Sequence, residues 1–288
     1  MPAEIDDRPR RFQLPSEEFI FGTSPGMREV RQMIDRAAQD NLPVLIEGES
    51  GTGKETMGRF LHERSGRRNE PFLKLNGGVT QTMLEGKIFA LDVMTAASGR
   101  ETEIPPIGIP SKGTLFLDEV DGLDCSLQRK LAGTIESGLH GQTKSVEGPL
   151  NARVICATTV DLEAGLTNRI VDQLLGCFVH RIRLLPLRER SEDIPQLCEY
   201  LLGKLARDFG RPVPHLSSRA VEALQQWKWP GNIRELENWI ARIVIFGAEE
   251  VVGLEFRRQL AAGAVAVPTY HRAFHLKSVR GKRPRNHR

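Results

Sequence analysis

Gly48-Glu49-Ser50-Gly51-Thr52-Gly53-Lys54-Glu55 follows the apolar run Val44-Leu45-Ile46 and precedes a stretch with helical spacing. A buried strand that passes through a glycine-rich turn into a helix makes a phosphate cradle. The glycines let backbone N–H groups converge, and the helix aims its positive end at the anion. At this spacing Lys54 reaches the β- and γ-phosphates of a nucleoside triphosphate. Thr52 lies inside the loop. The position after the lysine, where a Ser or Thr hydroxyl commonly meets magnesium, holds Glu55, so that ligand has to come from Thr56 or water.

A second string, Gly113-Thr114-Leu115-Phe116-Leu117-Asp118-Glu119, reads as a buried parallel strand with two carboxylates at its C-terminal end. Open α/β sheets place their ligands at that end. Asp118 is suited to hold magnesium through water, and Glu119 to orient or deprotonate an attacking water. Joined to the glycine-rich loop, the acidic pair implies a site for ATP and magnesium.

The composition is compatible with this reading. Of 288 residues, 40% are hydrophobic and 27% charged, which supports a real core in a soluble chain. No apolar run reaches transmembrane length, and the charged N-terminal residues are unlike a secretion signal. Cys125, Cys156, Cys177 and Cys198 are far apart and form no Cys-x-x-Cys pair. That spacing argues against a disulfide framework or zinc site and for reduced thiols in the cytoplasm. His62, His140, His180 and His215 show no metal-ligand spacing either. The net charge of +3 hides an asymmetry: the rest of the chain is net acidic, while residues 271–288 hold seven Lys and Arg and no acid. Such a stretch binds nucleic acid without reading its sequence, or is a solvated, disordered end.

Strand-like runs at 44–47, 71–75, 114–117, 153–157 and 182–185 alternate with helical ones at 27–38, 55–63, 81–89 and 126–137. This alternation predicts a parallel sheet covered on both faces. Beyond Pro186 the pattern becomes helical only, over 194–209, 217–227 and 232–246, with Ser217 as an N-cap and Pro230-Gly231 between the last two. The expected organisation is an extension (1–18), an α/β nucleotide-binding part (19–188), a small helical lid (189–262) and a basic, disordered tail (263–288). Trp227, Trp229 and Trp239 are expected in the lid core. No internal repeat is present.

With both nucleotide motifs and the lid placed, the chain resembles the AAA+ domain of sigma-54-dependent bacterial transcription activators, over residues 19–260. Besides the two motifs, the resemblance rests on Phe21-Gly22-Thr23-Ser24-Pro25-Gly26-Met27, on Leu187-Arg188-Glu189-Arg190 with Glu192-Asp193-Ile194-Pro195, and on Trp229-Pro230-Gly231-Asn232-Ile233-Arg234-Glu235-Leu236. It implies that Asn76 is a switch that senses the γ-phosphate and restrains Glu119. Thr158 falls at the sensor I position, followed by Thr159 where the family has Asn. Arg234 matches the sensor II arginine of the lid, which contacts phosphate and couples nucleotide state to lid closure.

The resemblance departs from the family in three places. The family's Gly-Ala-Phe-Thr-Gly-Ala loop, which engages sigma-54, is replaced by Met94-Thr95-Ala96-Ala97-Ser98-Gly99 within a segment of usual length. Without its aromatic anchor the loop is expected to grip sigma-54 poorly. Of two arginine fingers, only Arg169 has a counterpart, the second falling near Gly176; Arg181 and Arg183 belong to a predicted strand. No helix-turn-helix reader is legible after Leu260, and there is no room for a sensing domain before Phe19.

The resemblance implies an oligomeric ATPase that regulates transcription, with ATP between subunits of a ring and Arg169 donated in trans. The alternative is a hydrolysis-poor nucleotide switch or adaptor that acts on a complete activator without remodelling sigma-54. The partners expected are a second copy of the chain, sigma-54 RNA polymerase or such an activator, with DNA met non-specifically through the tail and no membrane.

Overall fold

The structure, a computed structural model, describes residues 14–78, 113–140, 152–163 and 169–246. The described residues open with a short helix that the sequence did not announce, α1 (Glu17–Phe21), followed by α2 (Pro25–Ala37). Pro25 sits in the first turn of α2, where its missing N–H costs nothing. Met27, Val30, Ile34 and Ala37 recur at helical spacing and are buried.

Then come β1 (Val44–Glu47), α3 (Lys54–Arg64), β2 (Phe72–Asn76), β3 (Gly113–Asp118), α4 (Cys125–His140), β4 (Ala152–Thr158), α5 (Asp172–Gly176) and β5 (His180–Arg183). The strands form one parallel sheet in the order β2-β3-β4-β1-β5. Its pleat sorts the side chains into two cores. Leu45, Leu115, Leu117, Val154 and Cys156 face α4, while Val44, Ile46, Phe116, Ile155 and Ala157 face α2 and α3. Burial of each Val, Leu, Ile or Phe here stabilises by about 1.5–3 kcal/mol, and burial on both faces explains the continuous apolar runs.

The predicted last strand, 182–185, forms two residues earlier. Its ladder is set by β1, which pairs Val44 with His180 and Glu47 with Arg183. On this edge only Ile182 is buried, so a polar sequence enters the sheet and the apolar Leu184-Leu185 lies just beyond it. The expected helix 81–89, the altered loop 94–99 and the basic stretch 271–288 lie outside the described residues.

Three helices complete the described chain: α6 (Ile194–Phe209), α7 (Ser218–Gln226) and α8 (Asn232–Phe246). Leu197, Leu201 and Leu205 of α6 are buried, as are Leu236, Ile240 and Ile243 of α8, and the two helices pack together. Ser217 caps α7 by accepting from Ala220 N at 3.3 Å. Trp229 and Trp239 are buried here, while Trp227 is half-buried and donates to Glu235 at 3.1 Å.

Candidate functional site

The loop after β1 is shaped by its own polar groups. Thr52 Oγ1 donates to Glu49 O at 2.8 Å, and Lys54 Nζ donates to Gly48 O at 2.7 Å and Glu49 O at 3.0 Å. Gly51 has φ 80°, and a Cβ there would lie 2.3 Å from Gly231 O, so both conformation and space demand glycine. Burial pushes the Lys54 ammonium below its ordinary range, with Asp118 opposing and Arg234 reinforcing that shift.

Ser50, Gly51, Thr52, Gly53, Lys54 and Glu55 line one end of a cavity of about 380 Å³, joined by Asp118, Glu119 and Arg234. The start of α3 lies here, where a helix leaves its first N–H groups unpaired. The other end of the cavity is apolar and was not legible beforehand: Phe19, Ile20, Met57, Leu197, Tyr200 and Leu201. The Phe19 and Tyr200 rings lie 4.5 Å apart. A polar, cationic end joined to an apolar slot suits a ligand with phosphates at one end and a flat ring at the other.

The lid grips the loop almost residue by residue. Arg188 holds Glu49 with both guanidinium branches, at 2.9 and 2.7 Å, and this bond keeps the Glu49 carboxyl below its ordinary range. Asn232, fully buried with φ 53°, donates to Glu49 Oε2 at 3.1 Å and to Ser50 O at 3.0 Å, and accepts from Leu187 N at 2.7 Å. Ile233 N donates to Gly51 O at 3.0 Å, and Arg234 Nη1 to Ser50 Oγ at 3.0 Å. Arg234 therefore reaches the loop rather than its helix neighbours. Glu235 accepts from Trp227 and Gly231, and Glu237 pairs with Lys204. On the far side, Asp193 accepts from Thr23 N, Ser24 N and Ser24 Oγ, seating the segment before α2 on the lid.

At the acidic end, Glu119 adopts φ 53°, a conformation that a side-chain-bearing residue takes only under strain. A Cβ at Gly77 would lie 2.3 Å from Glu119 O, so the turn after β2 passes Glu119 only as glycine. Asn76 pairs in register with Asp118, and its Oδ1 accepts from Gly78 N at 2.7 Å. The Glu119 carboxylate also lies against Gly78. Glu55 is held by Lys74 at 2.6 Å and Arg59 at 3.0 Å. Burial pushes its carboxyl up, but these two bonds bring it below the ordinary range.

Five expected residues, Asn76 among them, stand apart from the cavity wall. Gly48 and Glu49 line a neighbouring hollow of about 130 Å³. Thr158 is fully buried and gives its hydroxyl to Asp121 at 2.8 Å, while Thr159 is the residue on the cavity wall. Arg169 pairs with Asp121 at 3.2 Å, and its carbonyl accepts from Gln128 Nε2 at 2.8 Å.

Comparison with known proteins gives matches along the same stretch. A family model described as the sigma-54 interaction domain matches residues 20–187, and one described as an AAA+ ATPase lid domain matches residues 188–264. The response regulator protein PilR of Pseudomonas aeruginosa is 37% identical over 238 residues, covering 81% of this chain and 54% of that protein. NtrX from Brucella abortus in complex with ADP superposes with TM-score 0.65 at 28% identity, covering 80% of this chain and 52% of that one. Its complex with ATP gives TM-score 0.64 at 29% identity, over 78% of this chain and 52% of that one. The chain spans about half the length of the curated relatives it matches.

Proposed function

The chain belongs to the sigma-54 interaction domain family of AAA+ proteins, and on that premise we propose that it binds and hydrolyses ATP as an oligomer to regulate transcription. The observation that carries this reading is the convergence of Lys54, Asp118, Glu119 and Arg234 on one cavity with an apolar far end. The solved relative NtrX holds ATP or ADP. In this chain the triphosphate lies along the loop, with Lys54 on the β- and γ-phosphates and Arg234 reaching from the lid. The base enters the slot beside Phe19 and Tyr200.

The residues present fit magnesium. Asp118 and Thr56 share the cavity wall with Lys54, a sparse donor set of the kind that hydrated magnesium takes when phosphates supply the rest. Among the described residues no cluster of three His, Cys, Asp or Glu forms a metal cage of its own. When bound, the ion neutralises charge on the phosphates. Glu119 orients and deprotonates the attacking water, Asn76 carries the γ-phosphate signal past Gly78, and Thr158 fixes the end of β4 through Asp121. Arg169 acts on the ATP of the adjoining subunit, which requires it to leave Asp121.

The functional division falls at 1–18, 19–188, 189–262 and 263–288, with a second copy of the chain and sigma-54 polymerase or a complete activator as partners, the loop at 94–99 gripping sigma-54 poorly, and the cytoplasm as the location. Among the described residues no helix is long and apolar enough to cross a membrane. Non-specific DNA contact by the basic stretch 271–288 is tested by salt-sensitive binding that is lost on its deletion. The hydrolysis-poor switch is not favoured by the family matches. The deciding experiment is ATP turnover across a range of protein concentrations with Lys54→Ala as the blank. Turnover that rises more than proportionally supports shared sites, and turnover equal to the blank refutes them.

A further inference from the structure

Lys74 sits in β2 directly across from Phe116, on the sheet face that packs against α3. From there its side chain reaches two acids at once. Nζ donates to Glu55 Oε2 at 2.6 Å and lies 3.5 Å from Asp118 Oδ2. Arg59 holds the other oxygen of Glu55 at 3.0 Å. The register explains the reach. Asn76 pairs with Asp118 two residues further on, so Asp118 stands one pleat beyond Lys74 on the same face.

Asp118 is the carboxylate proposed above to hold magnesium, and Glu55 occupies the place where a hydroxyl ligand commonly stands. Both are thus already served by a cation of the protein. Lys74 and Asp118 are mostly shielded from solvent, at 34% and 22% side-chain exposure, so their attraction is only partly screened. Lys74 lines the same cavity as Lys54. We propose that Lys74 is a fixed counter-cation that competes with the divalent ion at Asp118 and thereby sets how far nucleotide binding depends on magnesium. This inference rests on the reading of the cavity as a nucleotide site. It follows that metal-free ATP binds with appreciable affinity, because Lys74 neutralises an acid that would otherwise repel the phosphates. Removing the ammonium exposes Asp118 to the divalent ion, while Arg59 still holds one oxygen of Glu55.

The test is Mn²⁺ binding to the protein–ADP complex by electron paramagnetic resonance, with binding of a fluorescent ATP analogue in EDTA, on the full chain. Lys74→Met is expected to bind Mn²⁺ about tenfold more tightly and metal-free nucleotide about tenfold more weakly. Lys74→Arg, which keeps the charge, is expected to stay within about twofold of wild type in both. A Lys74→Met protein with wild-type melting temperature and unchanged values in both assays overturns the counter-cation role and leaves Lys74 a tie between β2 and α3. Should Lys74→Met not fold, Lys74→Gln carries the same expectations and the same refuting result. Absence of nucleotide binding by wild type with and without metal overturns the nucleotide reading itself, and Lys74's role with it.

Discussion

Arg169 Nη2 lies 3.2 Å from Asp121 Oδ2 of the same chain, while the other oxygen of that carboxylate accepts from Thr158 Oγ1 at 2.8 Å. The asymmetry of the pair matters. Asp121 is buried, with 4% side-chain exposure, and belongs to the turn after β3, whereas Arg169 is 64% exposed. An exposed arginine can exchange one ion-pair partner for another at small net cost. Asp121 keeps Thr158 as a partner when Arg169 departs. The contact is therefore compatible with an arginine that parks in its own subunit and acts in the next.

Arg169→Ala is expected to bind ATP normally and to lose turnover by about 10³-fold, the scale of a missing arginine finger. Lys54→Ala subunits retain Arg169 but lack a working loop. Mixing the two inactive proteins is expected to restore part of the turnover, because each intact loop then meets an intact arginine. No recovery in the mixture, at concentrations where the wild type assembles, would place Arg169 in its own subunit's site.

The loop lysine and the acid at the end of β3 separate binding from chemistry. Lys54→Ala is expected to weaken ATP binding by about 10- to 100-fold, since a cation in the polar end of the cavity is lost. Glu119→Gln keeps the size of the side chain and is expected to bind ATP as wild type does while turnover falls at least about 10²-fold. Calorimetry and phosphate release measure the two halves. Equal turnover by wild type and Glu119→Gln would remove Glu119 from the chemistry.

The parts legible in the sequence are those where chemistry fixes residue type and spacing together. The loop at 48–55 and the acidic strand end at 118–119 meet at the cavity because a strand, a glycine turn and a parallel neighbour leave few other geometries. The apolar end was not legible. Leu197, Tyr200 and Leu201 follow ordinary helical spacing in α6, and nothing local separates the lid core from a cavity wall. Lys74 carried no signal within the strand-like run 71–75, because its partners belong to α3 and β3. Thr158, placed at the sensor I position by resemblance, turns to Asp121 while Thr159 lines the cavity, because β4 runs through Thr158, a detail that apolar spacing does not set.

The fully buried Asn232 side chain makes three hydrogen bonds, two to the loop at Glu49 and Ser50 and one to Leu187 N. Asn232→Ala would leave Leu187 N without its acceptor and Ser50 O without its donor, in a backbone conformation that alanine resists. The expected loss is about 2–4 kcal/mol, read from the midpoint of urea unfolding. Asn232→Gly relieves the backbone strain but not the lost bonds, so it should recover only about 1 kcal/mol. Full recovery by glycine would show that conformation, rather than the hydrogen bonds, is what Asn232 supplies.

Glu49 gives the lid–loop contact a dependence on pH. Its folded-state pKa lies below the ordinary 4.5, chiefly through the hydrogen bonds from Arg188. A carboxylate whose pKa is depressed on folding contributes stability above the unfolded value, and loses it as pH falls through the folded one. At neutral pH the contribution is complete. It fades only below about pH 4.5, as protonation removes the charge that Arg188 grips. Glu55 shares the direction, because its bonds to Lys74 and Arg59 outweigh burial. Glu49→Gln should therefore be less stable than wild type at pH 7, and the gap should close as the pH is lowered towards 3. Chemical denaturation at a series of pH values measures that gap. A gap that stays constant down to pH 3 would mean that the stability difference does not come from the charge at Glu49, and that this charge does not hold the lid to the loop.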